Sequence, residues 1–319
     1  MFLIPEVFIN FLVDSLIIVF GFFALLVSVQ MVLYFDNSKD TPLQYKLLKR
    51  DYLVSTIVRF ALFFKIPLLF YFIFTVDKLS DLIHGAMCGA GVITINSFGV
   101  YLLSLKVINI YLFGLWLLVN KEDMQTKGYI WTRFKFKFFI MIFVLLFLEF
   151  VLEVLYFNGI DISKVVSCCG VLFNPVAKSS LGMFLKIPKD MVAGVFYFVF
   201  IMIVIFGWLK NTKFFSILSL VFLPLSILAI IVFFSPYVYE LPTHRCPFCF
   251  LQKEYDYVGY FIYLFLFLGT FYGIAEGFLK LFLKKQMNYF KKAILFDSLF
   301  VGVVSYFVVG YYLKNGVWL

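Results

Sequence analysis

The sequence predicts an all-α, polytopic integral membrane protein with about eight transmembrane helices. Of its 319 residues, 64% are hydrophobic and 14% are charged, and the mean hydropathy is +1.02. This apolar content is far above what a soluble domain needs to build its core. It excludes a disordered chain, a nucleic-acid-binding domain and a soluble enzyme, and it makes the lipid bilayer the first expected partner.

The spans follow from the length of the apolar segments, because a helix needs about 20 such residues to cross the hydrocarbon core. Eight segments meet this length, and we predict that they form a single transmembrane domain over residues 1–319. The first is too long for the apolar region of a cleavable signal peptide, so we predict a true span there. The predicted spans are 7–35, 53–76, 98–119, 138–158, 191–209, 214–235, 257–279 and 293–313.

Lysine and arginine residues predict the orientation of the chain. One set of connections holds 16 basic and five acidic residues: 36–52, 120–137, 210–213 and 280–292. The other set holds eight basic and eight acidic residues: both termini and the loops 77–97, 159–190 and 236–256. The positive-inside rule places the first set in the cytoplasm and both termini on the exoplasmic side of the cell membrane. The net charge of +9 thus reflects topology and anionic lipid, and it requires no nucleic-acid partner.

All cysteine and histidine residues fall in the three predicted exoplasmic loops. They are His84, Cys88, Cys168, Cys169, His244, Cys246 and Cys249. Thiols that are kept in an oxidising space usually have a function there. We therefore predict that these loops form one Cys/His site.

In the first two loops, the spacing allows a functional and a structural interpretation. If the first loop is helical, His84 and Cys88 lie at i and i+4 and can bind one ion from the same face. The alternative is a glycine-rich turn for helix packing. In the second loop, Cys168 and Cys169 could offer thiolates to different partners, or one could simply be a buried apolar residue beside an accidental neighbour.

The third loop contains the strongest local motif, in which His244 and Arg245 precede the turn Cys246-Pro-Phe-Cys249. A Cys-x-x-Cys turn brings two sulfurs together and serves both metal chelation and disulfide exchange. Arg245 would favour the thiolate of Cys246, and His244 could be a third ligand. The alternative is a structural disulfide that closes the turn, but it leaves the other cysteines unexplained.

Five ionisable side chains are predicted inside the spans, where such groups are costly and usually functional. Asp14, Glu149 and Glu153 could pair with Lys65 and Lys106 or relay protons toward the exoplasmic loops. The alternative for the two lysines is snorkelling or a structural ion pair. Three more ionisable residues lie near the cytoplasmic edge and are predicted to be interfacial: Arg59, Glu276 and Asp297.

A metal site on the exoplasmic face is the leading functional hypothesis, because it accounts for all seven cysteine and histidine residues together. Thiolate and imidazole ligands suit copper, zinc or iron, and Met87 could add a thioether. Not all seven can bind one tetrahedral ion, so some would support the ligands or bind a second metal. Such a site would serve redox chemistry or metal handling, with an exoplasmic redox protein or metal carrier as the expected partner.

Two alternatives remain open. The first is a membrane thiol–disulfide oxidoreductase with Cys246 and Cys249 as the exchange pair, Cys168 and Cys169 as the relay pair, and quinone as a cofactor. Its plan is similar to that of bacterial disulfide-forming membrane enzymes, with which the chain shares no further motif. The second is a transporter, or a membrane scaffold subunit for an external redox protein.

Overall fold

The described part of the chain is mainly helical. The computed structural model describes residues 1, 3–36, 41–126, 130–161 and 187–319, and these residues form no β-strand. Eight of the described helices are long and apolar enough to cross a membrane, which confirms the predicted fold class and number of spans. A short helix precedes the third span, so nine helices are numbered here. They are α1 (Pro5–Tyr34), α2 (Pro42–Ser80), α3 (Gly89–Ile93), α4 (Phe98–Gln125), α5 (Thr132–Asn158), α6 (Lys189–Trp208), α7 (Thr212–Tyr239), α8 (Val258–Leu283) and α9 (Phe290–Asn315).

The contacts divide the chain into two compact units. Unit 1 comprises residues 1–82 and 92–164, and unit 2 comprises residues 83–91 and 165–319. The segment 83–91 therefore packs with helices that follow it by more than a hundred residues. The single domain that the sequence predicts stays a prediction, and each unit is described separately below.

Unit 1 is built from α1, α2, α4 and α5, which pack on one another along their length. Each helix buries polar as well as apolar side chains and exposes apolar ones, as expected for helices that face lipid outside and a polar interior within. Pro67 lies inside α2, and Thr41 caps the start of that helix by accepting a hydrogen bond from the backbone N–H of Gln44 at 3.4 Å.

Unit 2 places α6, α7, α8 and α9 around an aromatic core. Phe196 lies with its ring centroid 5.2 Å from that of Phe222 and 5.1 Å from that of Phe234. Helices α7 and α8 approach closely where glycine faces serine: a Cβ atom on Gly273 would lie 2.1 Å from the Oγ atom of Ser219. Small residues commonly permit such approach between membrane helices.

Helices α2, α4 and α5 of unit 1 extend beyond the predicted spans. Asp51, Asp123 and Lys135, which the sequence assigns to cytoplasmic connections, are instead buried within helices. Their mutual ion pairs, described below, make this burial possible. The sequence predicts that Glu276 and Asp297 are interfacial, in contact with headgroups or water. In the structure, both side chains are buried within unit 2.

Candidate metal centre

Three buried cysteines converge in unit 2. The side chains of Cys88 and Cys246 are fully buried, and Cys249 is 6% exposed. Their sulfur atoms all lie within 4.8 Å of one another, although Cys88 precedes Cys246 by 158 residues. The three residues thus form a buried group that could hold a metal ion.

The spacing of the sulfurs fits ligands of one ion better than a disulfide. The Sγ atoms of Cys88 and Cys246 are 3.5 Å apart, and none of the three described cysteines forms a disulfide. A disulfide bond measures only about 2 Å. Two thiolates that bind one tetrahedral zinc ion at about 2.3 Å lie roughly 3.8 Å apart. A small adjustment would therefore bring these two sulfurs to ligand spacing.

The turn that carries Cys246 and Cys249 is fixed by hydrogen bonds to its backbone. The phenol of Tyr239 donates to the carbonyl of Cys246, and the phenol of Tyr263 donates to the carbonyl of Pro247, each at 2.5 Å. The N–H of Phe248 points at the sulfur of Cys246, 3.4 Å away, as expected for a residue that supports a thiolate. The turn is thus built to present both sulfurs on one side.

Phe250, which follows Cys249, packs against Gly259 at the start of α8. A Cβ atom on Gly259 would lie 2.8 Å from the Cβ atom of Phe250 and 3.0 Å from Leu251 Cδ2. Cys249 begins the 3-10 turn Cys249–Leu251, so this close approach sets its position. Only glycine leaves enough room for that contact.

Cys88 is placed by a turn rather than by a helix. Residues 81–88 are not helical, so the condition for placing His84 and Cys88 on one helical face is not met, and the segment forms turns instead. Gly85 has a φ angle of +86°, which glycine tolerates best, and the chain there turns toward α3. The carbonyl of Cys88 then accepts a hydrogen bond from the N–H of Gly91 at 3.1 Å.

Of the two histidines, His244 has an environment closer to that of a ligand. Its Nε2 atom is buried and has no hydrogen-bond partner among the described residues, and its ring lies 4.2 Å from that of Tyr239. Burial lowers the pKa of His244, while interaction with Cys88 acts in the opposite direction. A neutral imidazole with an unused nitrogen is the form that binds metal. This nitrogen is not part of the group within 4.8 Å, so binding would require a movement of the side chain.

Two further predicted site residues, His84 and Met87, are described and are not in the sulfur group. His84 is exposed, and Met87 is 74% exposed. Cys168 and Cys169 lie outside the described residues. The roles of these four residues as ligands stay predictions.

Sequence reasoning missed the residues that position the cysteines. Nothing in the sequence spacing distinguishes Tyr239 and Tyr263 from the other 18 tyrosines. Gly259 gives only a weak signal, since it lies directly after the third loop but is one of four glycines in α8.

Unit 1 contains a separate buried cluster, which confirms the predicted pairing of intramembrane charges. Lys65 pairs with Asp14 and with Glu149, the latter at 2.7 Å. Lys106 lies 2.8 Å from Asp14, 3.1 Å from Glu149 and 2.7 Å from Glu153. This set of three acids and two lysines is called the upper network below.

A second cluster in unit 1, the lower network, was not predicted. Lys135 lies 2.7 Å from Asp51 and 3.1 Å from Asp123, and it also donates to the amide oxygen of Asn120 at 3.2 Å. Asp123 in turn accepts a hydrogen bond from the hydroxyl of Thr132 at 2.7 Å. Lys135 lies within ion-pair distance of both carboxylates, and hydroxyl groups donate further hydrogen bonds to them from Ser55 and Thr132, which lowers the cost of burying these groups.

Comparison of the chain with protein-family models, with curated proteins and with solved structures found no match. Functional inference therefore depends on the residues and their geometry.

Proposed function

We propose that this chain is a membrane metalloprotein whose exoplasmic centre binds a soft metal through Cys88, Cys246 and Cys249. The observation that carries the proposal is the convergence of three buried sulfurs, all within 4.8 Å, from two segments far apart in sequence. Buried thiols at such spacing favour metal binding, because one cation compensates most of the charge of their thiolates when it is divalent and binds all three sulfurs at once.

The ligand set limits the choice of metal. Sulfur-rich sites suit copper, zinc or iron, whereas magnesium and calcium prefer oxygen. The orphaned nitrogen of His244 makes it our first candidate for a fourth ligand. Cys168, Cys169 and His84 are the further candidates, as ligands of the same ion or of a second one. The metal would serve redox chemistry or metal handling with an exoplasmic carrier or redox partner.

The exoplasmic location is part of the proposal and is supported by the charges of the connections. The predicted connections on the opposite side hold 16 basic residues, twice the number found on the side of the cysteines. The positive-inside rule favours an orientation with the cysteine segments outside the cytoplasm of a cell membrane.

The thiol–disulfide alternative is favoured by one observation. The sulfurs of Cys88 and Cys246 lie 3.5 Å apart, so a modest movement would join them upon oxidation. In that function a disulfide between two of these cysteines would accept two electrons from a dithiol protein, and the dithiol so formed would pass them to quinone and become a disulfide again. The same experiment separates the two functions, because metal retention and reversible disulfide formation are measured on one preparation.

The test is elemental analysis of the full chain purified without oxygen in detergent. We expect close to one bound copper, zinc or iron per chain. Cys246→Ser and Cys249→Ser should abolish bound metal, and Cys88→Ser should reduce it. Thr243→Ala, an exposed position in the same loop, is the matched control and should retain the wild-type metal content.

Two results would contradict the proposal. One is metal content equal in wild type and the three cysteine variants, which would place the metal elsewhere. The other is metal-free protein in which Cys246 forms a reversible disulfide with Cys88 or Cys249, which would establish the oxidoreductase function instead.

A further inference from the structure

The upper network of unit 1 holds more acids than bases. Asp14, Glu149 and Glu153 supply three carboxyl groups, whereas Lys65 and Lys106 supply two ammonium groups. Each of the five residues is at most 5% exposed. An uncompensated charge in such surroundings is strongly unfavourable, and a buried group usually avoids it by changing its protonation state. One added proton makes this network neutral.

The hydrogen bonds identify the oxygen that has room for that proton. Both carboxylate oxygens of Asp14 accept from lysine, and Glu149 accepts from lysine through Oε1 and from Asn109 through Oε2. Glu153 accepts from Lys106 through Oε2 at 2.7 Å. Its buried Oε1 atom, by contrast, has no hydrogen-bond partner in the described part of the chain. Glu153 is therefore the carboxyl group whose negative charge is least compensated.

A bound metal ion is a poorer solution for this cluster. One oxygen from each of the three carboxyl groups lies within 4.8 Å of the others, a spacing that metal sites also show. Two ammonium groups, however, already lie between these carboxylates. A divalent cation would either displace the lysines or be repelled by their positive charges, and both cost free energy. A proton adds the single missing charge without moving either of them.

We propose that the carboxyl group of Glu153 is a proton-binding site inside the membrane-spanning part of unit 1. The Oε1 atom takes a proton from water, and the carboxyl group becomes neutral and gains an O–H donor. Deprotonation returns the proton to water and restores the carboxylate, with no transfer of electrons. The site lies in a different unit from the sulfur group and does not depend on it.

The charged and polar groups around Glu153 come from every helix of the unit. They are Asp14 on α1, Lys65 on α2, Lys106 and Asn109 on α4, and Glu149 on α5. The two lysines favour the carboxylate form of Glu153, and the two other acids favour its protonated form. Because five oxygens of the cluster already accept hydrogen bonds, the excess negative charge remains on Glu153.

Proton exchange is expected from the end of the unit at which α1 begins. Glu6, Asn10 and Asp14 recur every four residues on one face of α1, and Asn10 donates to the hydroxyl of Thr75 at 2.7 Å. Beyond the upper network in the other direction, buried apolar side chains follow on α4 and α5: Phe113, Trp116, Phe139 and Ile142. The polar face of α1 therefore offers the route for protons, and the apolar layer closes the opposite one.

The test is pH-difference infrared spectroscopy of the full chain, which detects the C=O stretch of a protonated carboxyl group. Wild type should show a band that is absent from Glu153→Gln. Charge balance predicts that Glu149→Gln also loses it, because two carboxylates then match two ammonium groups. Glu240→Gln, at an exposed carboxylate, is the control and should keep the band. Asp297 is a second buried carboxyl group whose oxygens have no hydrogen-bond partner among the described residues. It is present in the wild type and in every variant, so any band from Asp297 is common to all the spectra that are compared.

A chemical test on the wild-type chain covers the case in which a variant fails to fold. Dicyclohexylcarbodiimide modifies protonated carboxyl groups in apolar surroundings, and peptide mass spectrometry should locate a label on Glu153. Labelling of Asp14 or Glu149 in place of Glu153 would overturn the assignment. So would a carboxyl band that is unchanged in Glu153→Gln, or one that sodium ions remove at constant pH.

Discussion

At the scale of single residues, two hydroxyl groups hold the turn that carries the sulfurs. Tyr239 and Tyr263 each donate to a carbonyl of the segment Cys246–Pro247. Residues of this kind orient the ligands, and their removal weakens metal binding without removing a ligand.

The effect of Tyr263→Phe tests this positioning role. We expect the variant to fold and to bind one metal, with an affinity lower by about 10-fold because the carbonyl of Pro247 loses its donor. The measurement is a competition titration with a chelator. Tyr306→Phe, an exposed tyrosine on α9, is the control and should leave the affinity unchanged. Equal affinities in all three proteins would show that the hydrogen bond does not position the site.

At the scale of helices, the same three helices of unit 1 contribute polar residues to both the upper and the lower network. On each of three helices, a residue of the upper network and one of the lower network are fourteen residues apart, which corresponds to about 21 Å along a helix. The pairs are Asp51 and Lys65 on α2, Lys106 and Asn120 on α4, and Lys135 and Glu149 on α5. The ion pairs thus fix the register of these helices near both ends.

Lys135→Met tests the contribution of the lower network to stability. Removal of the lysine leaves Asp51 and Asp123 buried without their cation, so we expect a loss of about 3–5 kcal/mol in the free energy of unfolding. Denaturant unfolding in detergent micelles measures it. Lys314→Met, which breaks an exposed pair with Glu240, should change stability by less than about 1 kcal/mol. A loss no larger than that of the control would show that the network does not fix the helices.

At the scale of the whole molecule, apolar length and charge were enough to predict the class of fold and the number of spans. The sequence also predicted the partners of Lys65 and Lys106, because charges within a bilayer must be paired. It did not predict the lower network. Asp51 and Lys135 lie in stretches polar enough to be taken for loops, and only tertiary pairing stabilises them within helices.

The candidate site was predictable in outline only. The scarcity of cysteine and its restriction to loops indicated Cys88, Cys246 and Cys249, and these three residues do meet. Which of the two histidines lies near them depends on a turn at Gly85, and no pattern in the sequence determines its path. The hydrogen bonds from Tyr239 and Tyr263 to the turn could not be predicted either, because the partner of a tyrosine hydroxyl depends on the tertiary structure.

The central claim is that three cysteine sulfurs bind one metal ion, and X-ray absorption at the metal edge tests it most directly. Protein purified without oxygen should give a first shell with three sulfur atoms, at about 2.3 Å if the metal is zinc. In Cys88→Ser, any metal that remains should show fewer sulfur neighbours. A shell of nitrogen and oxygen alone, or a sulfur count that is identical in wild type and variant, would contradict the account.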